Sequence, residues 1–183
     1  MKNTMVCFRC YSVGVALGFA LFLPMPGIAA ESSTPQVGIA VRDITPELPI
    51  RLAGYAGRNR PADKLDTPLV VQALALKNAS GERFVFVALD NCEVSPAFMQ
   101  PVWQQLADQY QLGRGEVAVV SSHTHSAPVL EQTLTDMAQP GPEEGERIAT
   151  YSRLLRTKLV EVVGAALADC QPATLEHGLG RAA

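Results

Sequence analysis

The 183-residue sequence has few histidines, cysteines and aromatic residues, and it has no run of basic side chains. It contains three histidines, four cysteines and one tryptophan, and its formal net charge is −3. A mildly acidic chain without a basic run argues against nucleic acid as a partner. The sequence also lacks an H-E-x-x-H zinc motif and a G-x-S-x-G nucleophile motif, so it fits neither of these common hydrolase signatures.

Long apolar runs are also missing, apart from one within the first thirty residues. There, Lys2 and Arg9 precede an apolar stretch over residues 13–23, and the small pair Ala29-Ala30 offers a cleavage site. This pattern predicts a signal peptide over residues 1–30 and a secreted or periplasmic protein. An uncleaved membrane anchor is the alternative, although the apolar stretch is short for a membrane span.

Cleavage would leave residues 31–183, a length sufficient for one domain with its own core. It would also remove two of the four cysteines and leave Cys92 and Cys170. Export would permit a disulfide between these two. Their spacing does not show whether they meet, so a disulfide and two free thiols both remain open.

Apolar periodicity predicts an α/β fold. The predicted strands cover residues 36–42, 69–77, 83–89 and 116–122, and the predicted helices start at Ser95-Pro96 and at Glu146. Gly113 and Gly115 should end the first helix, and Asp169 should end the second. Residues 47–66 form a long loop, residues 131–145 form another loop, and residues 173–180 could open a further strand.

The strand over 83–89, the following helix and the strand over 116–122 form a predicted βαβ unit. Its two strands should be parallel, and the continuous apolar run of the first suits a strand buried on both faces. We therefore expect a mixed sheet with flanking helices, as an incomplete domain. Asp90 and His123 then lie at the carboxyl ends of neighbouring parallel strands, where open α/β sheets bind ligands.

His123 and His125 are the strongest candidates for chemistry. Neutral imidazole is the commonest metal ligand in proteins and the usual acid–base group near neutral pH. Side chains at positions i and i+2 of an extended segment point the same way, so both rings could bind one ion. Alternatively, one ring binds the ion while the other contacts substrate, or the pair is merely part of a surface loop.

Asp90 could bind a metal or orient a ligating histidine. It could equally cap the next helix or accept hydrogen bonds from backbone N–H groups. Gly54-Tyr55 and Arg58 could line a cleft, although a turn glycine and a solvated arginine are the favoured interpretation. His177 has no motif around it, and Ser126 is a poor nucleophile candidate.

Five short motifs occur in a fixed order between residues 36 and 130. They are AVRDITP (40–46), AGY (53–55), LDTPL (65–69), VALD (87–90) and SHTHSAP (122–128). Together they resemble the amino-terminal part of the neutral/alkaline (non-lysosomal) ceramidase family. Other HxH hydrolases fit less well, since β-lactamase-like sites need Asp-His after the pair and barrel amidohydrolases need a longer chain.

The resemblance implies an exported, Zn²⁺-dependent hydrolase that cleaves the N-acyl amide bond of ceramide. The substrate is then a lipid amide, which leaves room for peripheral contact with a membrane. His123 matches the family's zinc ligand, and His125 would lie beside the metal and the substrate as a catalytic group. Asp90 matches a family aspartate at a strand end and is the second catalytic candidate.

The sequence departs from the family pattern at Ser122, at Ala127 and at Leu65-Asp66. The family's second zinc histidine, its ligating Glu and Tyr and its Gly-Asp-x-Ser-Pro segment lie further along and have no match here. We therefore expect residues 31–183 to be the amino-terminal portion of a longer, truncated domain that is inactive alone. The alternatives are a hydrolase with another amide or ester substrate and a non-catalytic secreted module.

Overall fold

The structure, a computed structural model, describes residues 34–134 and 139–181. The predicted signal peptide over residues 1–30 lies outside the described residues. The elements in chain order are β1 (Gln36–Asp43), β2 (Val70–Lys77), β3 (Arg83–Leu89), α1 (Pro96–Tyr110), a 3₁₀ turn (Arg114–Glu116), β4 (Val117–Ser121), α2 (Pro142–Ala168) and β5 (Gln171–Pro172).

The strands form one mixed sheet in the order β4-β3-β2-β1-β5. Strands β3 and β4 are parallel, whereas β2 pairs antiparallel with both β1 and β3, and β5 pairs antiparallel with β1. The α/β fold and the βαβ unit are therefore confirmed, with β4 one residue shorter at each end than predicted. Leu89 pairs with Ser121, so the two parallel strands end side by side.

Helix α1 begins as predicted, because the Ser95 hydroxyl accepts a hydrogen bond from Phe98 N at 3.0 Å and Pro96 occupies the first turn. Its end differs from the prediction. Gln111, with φ 51°, adopts the left-handed conformation that terminates the helix, two residues before the first glycine. The Arg83 guanidinium donates to the carbonyls of Tyr110 and Gln111, which satisfies helix-end acceptors that lack partners within the helix.

Helix α2 begins at Pro142, within the predicted loop and four residues before the predicted start. Proline suits a first turn, and Glu143 and Glu144 there interact favourably with the helix dipole. The further strand that residues 173–180 could have opened does not form, and pairing with β1 stops after β5. Farther along β1, past its two residues that pair with β5, the Asp169 carboxylate accepts a hydrogen bond from the Ile39 N–H at 2.9 Å and so occupies the edge of the strand.

The core lies on one face of the sheet, between the strands and the two helices. The fully buried Val85 and Val87 of β3 pack there with Phe98 of α1 and Leu155 of α2. The opposite face is not covered by any segment within 34–134 or 139–181, which corrects the expectation that β3 is buried on both faces. Its large exposed apolar side chains are Ile39, Val41, Leu74, Phe84, Phe86 and Val120.

Two further features bear on the sequence predictions. Cys92 and Cys170 are both free thiols, so the disulfide alternative does not hold in this structure. Within the described ranges, no helix combines the length and the apolarity needed to cross a membrane.

Candidate metal centre

The histidine pair lies in a tight turn at the carboxyl end of β4. Ser122 N donates to the Leu89 carbonyl at 2.9 Å, and His123 then adopts a left-handed backbone with φ 57°. This conformation is uncommon outside glycine and is one of the strained conformations that cluster at functional sites. The pair therefore does not lie in an extended segment, which was the basis for expecting the two side chains to point the same way. The turn nevertheless brings the two imidazole centroids to 5.1 Å.

A backbone carbonyl fixes the ring of His123. Its Nδ1 lies 3.0 Å from the carbonyl oxygen of Cys92. Because a carbonyl oxygen only accepts, Nδ1 carries the proton in this contact and Nε2 keeps the lone pair. Metal-binding histidines commonly show this arrangement, in which a carbonyl orients the ring. The side chain of His123 is exposed, so Nε2 belongs to an accessible residue.

A third donor, the thiol of Cys92, lies beside the pair. Its Sγ is 3.8 Å from Nδ1 of His123, and one donor atom from each of Cys92, His123 and His125 lies within 4.8 Å of the other two. Burial raises the pKa of the Cys92 thiol, with a further contribution from Glu93. A buried thiol with a raised pKa is a poor nucleophile, whereas the trio of donors suits a metal ion.

The long loop between β1 and β2 is hydrogen-bonded to the histidine turn. Ala53 N donates to the Ala127 carbonyl at 2.8 Å, and Val129 N donates to the Arg51 carbonyl at 3.0 Å. The loop is therefore ordered against the site, as long ordered loops in compact domains often are.

Three residues of this loop surround His125. The Tyr55 ring stands edge-on to the imidazole with centroids 4.6 Å apart, and the Arg58 guanidinium donates to the His125 carbonyl at 2.8 Å. Gly54 has φ 73°, and a Cβ built there would lie 2.5 Å from Nδ1 of His125. The favoured interpretation of a turn glycine and a solvated arginine was therefore incomplete, because these residues position His125.

The contact at Gly54 leads to a direct prediction. We expect Gly54→Ala to weaken metal binding by the histidine pair by about 10–100-fold, the range for groups that orient a ligand. The added methyl overlaps the imidazole, and φ 73° is strained for alanine. Gly57→Ala is the matched control, because a Cβ there meets nothing within 4 Å. Equal affinities for both variants in a zinc competition titration would contradict the prediction.

Asp90 follows β3 and is tied to the neighbouring strand. Its Oδ2 accepts from Val70 N at 3.1 Å, and its own N–H donates to the Val70 carbonyl at 3.1 Å. This is the backbone-binding role considered from the sequence, and Asp90 is not a member of the three-donor group. Its participation in catalysis stays a prediction.

A cleft of about 360 Å³ opens beside the histidine turn. Thr124 and Ser126, the neighbours of His125, line one part of it together with Asp90. The β1–β2 loop lines the rest with the polar side chains of Lys64, Asp66 and Thr67 and with apolar ones, among them Leu48, Leu52, Leu65 and Leu69. The volume falls within the range of small-molecule sites.

Cys92 is the member of the site that the sequence did not indicate as a donor. In the sequence it is one of the two cysteines that follow the predicted signal peptide, with no metal motif around it. Its proximity to His123 arises because β3 and β4 are parallel and end together, which no local pattern reveals. His177, considered structural from the sequence, is exposed in the segment after β5.

Comparison with solved structures supports the same fold. Neutral ceramidase from Pseudomonas aeruginosa matches with a TM-score of 0.62 and 20% identity, covering 76% of this chain and 22% of that chain. A structure described as ceramidase complexed with C2 matches with the same TM-score, identity and coverage. At this identity the likeness concerns the fold alone.

Sequence comparison is more specific. Neutral ceramidase of Oryza sativa subsp. japonica is 27% identical over 134 residues, 69% of this chain and 17% of that protein. Neutral ceramidase 2 of Arabidopsis thaliana is 29% identical over 113 residues, 60% of this chain and 15% of that protein. The chain thus spans about a sixth of these relatives. The family model described as "Neutral/alkaline non-lysosomal ceramidase, N-terminal" matches residues 36–181, so the chain belongs to the neutral/alkaline non-lysosomal ceramidase family.

Proposed function

We propose that this chain forms part of an exported, zinc-dependent amidohydrolase that cleaves the N-acyl amide bond of ceramide or a similar lipid amide. One observation carries the proposal. His123 is exposed beside His125, its Nδ1 is fixed on the Cys92 carbonyl, and its Nε2 is left with a lone pair. This arrangement lies within the segment that matches the ceramidase family.

The donor chemistry fits zinc. Structural and catalytic zinc sites use imidazole, thiolate and carboxylate ligands, and the described cluster offers two imidazoles and one thiol within 4.8 Å. A hard cation such as Mg²⁺ prefers oxygen ligands and would be less suited to these donors. We therefore assign zinc to this centre, with His123 as its ligand.

The bound ion would supply a Lewis acid for an amide carbonyl and for water. The chain's own residues would orient the two histidines. The Cys92 carbonyl holds the proton on Nδ1 of His123, so that the other ring nitrogen would be the one to hold the ion. Tyr55, Gly54 and Arg58 hold the ring and backbone of His125, which can then contact the substrate.

The adjacent cleft supports a lipid amide as the substrate. Its leucine side chains suit an acyl chain, whereas Thr124, Ser126 and Asp90 offer hydrogen-bond partners to a polar head. An amphiphilic substrate needs both kinds of surface next to the reacting group. The cleft and the histidine turn share Thr124 and Ser126, so an amide bond at the polar end would lie next to the turn that carries His125.

The test is hydrolysis by the full-length protein, because the segment described here is a small share of the length of its relatives. We expect release of sphingosine and fatty acid from ceramide, loss of this activity on chelation, and its recovery with Zn²⁺. A simple N-acyl amide and an ester with the same acyl chain serve as matched substrates. Hydrolysis that survives exhaustive chelation would overturn the proposal.

The family scaffold also supports a second candidate, a hydrolase with a different amide or ester substrate. In the assay above, it would cleave one of the matched substrates faster than ceramide. Export remains part of the proposal through the signal pattern of residues 1–30. Sequencing the amino terminus of the mature protein tests it, with Glu31 as the expected first residue.

A further inference from the structure

The ion pair between Arg51 and Glu144 joins the β1–β2 loop to the first turn of α2. Arg51 Nε lies 3.0 Å from Oε1 of Glu144, and the two side chains are only 19% and 14% exposed. The same nitrogen forms no aligned hydrogen bond among the described residues, so the contact depends on the attraction of the two charges. Loss of one member would leave the other charge largely buried and uncompensated, which costs more than the loss of an exposed pair.

From Arg51 a chain of hydrogen bonds continues to the histidine turn. Nη1 of Arg51 donates to the Arg58 carbonyl at 3.0 Å. Nη1 of Arg58 in turn donates to the carbonyls of His125 at 2.8 Å and of Ala53 at 3.0 Å. Arginine suits both positions, because its planar guanidinium presents several donors in a fixed geometry. The backbone of the histidine turn is therefore connected to the first turn of α2 through two guanidinium groups.

A small apolar cluster adds a second contact at the same junction. The buried Ile148 of α2 belongs to one cluster with Ala53 of the loop and with Val129, which follows the histidine turn. Val129 N also donates to the Arg51 carbonyl at 3.0 Å. Helix, loop and turn therefore meet in one continuous set of contacts, which is the physical requirement for coupling between separate segments.

We propose that Arg51 and Glu144 are positioning residues for His125. They act through Arg58 and do not touch the substrate. The ion pair fixes the backbone of Arg58, and the Arg58 guanidinium fixes the carbonyl of His125. The inference rests on the proposed function in giving His125 a part in hydrolysis. It also predicts a coupling between α2 and the histidine turn that is measurable without any reaction.

The alternative role of the ion pair is that of a tether that only keeps the loop folded on α2. Loss of such a tether would lower the melting temperature and leave the turnover of the folded protein unchanged. Loss of a positioning contact lowers kcat of the folded protein while KM stays constant, because the reacting groups are misplaced and the binding of the substrate is kept.

Glu143 and Glu144 allow a matched comparison. Both lie in the first turn of α2, and both pair with an arginine. The partner of Glu143 is Arg147 of the same helix, and the Glu143 side chain is 87% exposed. Glu143→Gln therefore removes the same charge from the same end of the helix without removing an ion pair to the loop.

The first measurement is hydrogen–deuterium exchange of the full-length protein, read by mass spectrometry. We expect Glu144→Gln to raise the exchange rates over residues 53–58 and 123–129 at least about threefold, the ratio that corresponds to the loss of a weak ion pair. Glu143→Gln should leave both segments at the wild-type rates. Wild-type exchange over residues 123–129 in Glu144→Gln, or an equal rise in Glu143→Gln, overturns the inference.

The second measurement separates kcat from KM in ceramide hydrolysis, below the melting temperature of each variant. We expect Glu144→Gln to lower kcat about tenfold and to leave KM within about twofold, since a 1 Å misplacement at a reacting centre costs about 100-fold and the ion pair acts only through Arg58. Glu143→Gln should retain the wild-type kcat. A folded Glu144→Gln protein with wild-type kcat overturns the inference.

A double variant tests whether the two residues act as a unit. Arg51→Gln combined with Glu144→Gln removes both charges and leaves neither buried alone, so it also replaces Glu144→Gln in both measurements if the single variant does not fold. If the residues act through their mutual contact, the double variant should lose no more kcat than the more affected single variant. Losses that multiply overturn the inference.

The two measurements also separate this inference from the proposed function. If the wild type does not hydrolyse ceramide while exchange in the histidine turn depends on Glu144 and not on Glu143, the coupling stands and the proposed function is overturned. If the wild type hydrolyses ceramide with zinc while Glu144→Gln changes neither exchange nor kcat, the proposed function stands and this inference is overturned.

Discussion

His123→Ala is expected to deprive the full-length protein of zinc and of amide hydrolysis together. The substitution removes the imidazole whose Nδ1 is fixed on the Cys92 carbonyl and whose Nε2 is free for the ion. We expect zinc affinity to fall by more than about 100-fold, beyond the 10–100-fold typical when only a supporting group is lost. Zinc content after dialysis and ceramide hydrolysis are the two measurements.

His177→Ala is the matched control for this prediction. His177 is the third histidine of the chain, it is exposed, and it lies outside the three-donor group. Its substitution should leave both zinc content and hydrolysis at the wild-type level. A His123→Ala protein that retains zinc and turnover would show that the ion is held elsewhere.

Gly38→Ala is expected to destabilise the fold by about 2–3 kcal/mol, the upper range for overpacking a tightly packed position. Gly38 lies in β1 where the end of α2 crosses the strand. A Cβ there would overlap the carbonyl oxygen of Ala166 and lie 2.8 Å from the backbone nitrogen of Cys170. Because both contacts are with backbone, no side-chain rotation relieves them, and the helix end must move.

Gly145→Ala is the control, a glycine-to-alanine substitution that should not lower the stability of the fold. A Cβ at Gly145, in the first turn of α2, meets nothing within 4 Å. Alanine should therefore leave stability unchanged or raise it by up to about 1 kcal/mol, its helix-propensity advantage over glycine. Urea unfolding followed by circular dichroism and by the single tryptophan, Trp103 of α1, measures both variants. Equal midpoints for the wild type and Gly38→Ala would contradict the packing of α2 on β1.

The regular elements of this fold were largely predictable because they carry local signals. Ser95-Pro96 marks the start of α1, and apolar spacing marks the strands that form the βαβ unit. The errors occur where a distant contact decides. The Asp169 carboxylate occupies the edge of β1 after β5, and Gln111 ends α1 in a left-handed conformation before the glycines that would mark its end from the sequence.

The larger error was the prediction that β3 is buried on both faces. An apolar run such as Phe84 to Leu89 fits a strand covered on both faces or on one, and periodicity alone does not distinguish them. In the structure Val85, Val87 and Leu89 face the core, whereas Phe84 and Phe86 face outward. The deciding factor is which segments pack on each face, and that is tertiary information.

The two histidines of the candidate site could be identified from the sequence, whereas the residues around them could not. The His123-Thr124-His125 pattern indicates metal chemistry by residue type alone. The contribution of Cys92 and of Gly54, by contrast, depends on two segments that lie 31 and 71 residues from the histidine each one meets. Contacts of this kind follow from the parallel pairing of β3 with β4 and from the hydrogen bonds between the β1–β2 loop and the histidine turn.

The outward apolar face of the sheet affects the tendency of this chain to associate in solution. Phe86 of β3 and Ile39 of β1, 45% and 61% exposed, both pair with Leu74 of the intervening strand β2, so the three side chains form one continuous apolar surface. Contiguous exposed apolar patches mark sites of association or aggregation. Protein concentration is therefore a variable in every titration and unfolding experiment on this chain, and light scattering should accompany each of them.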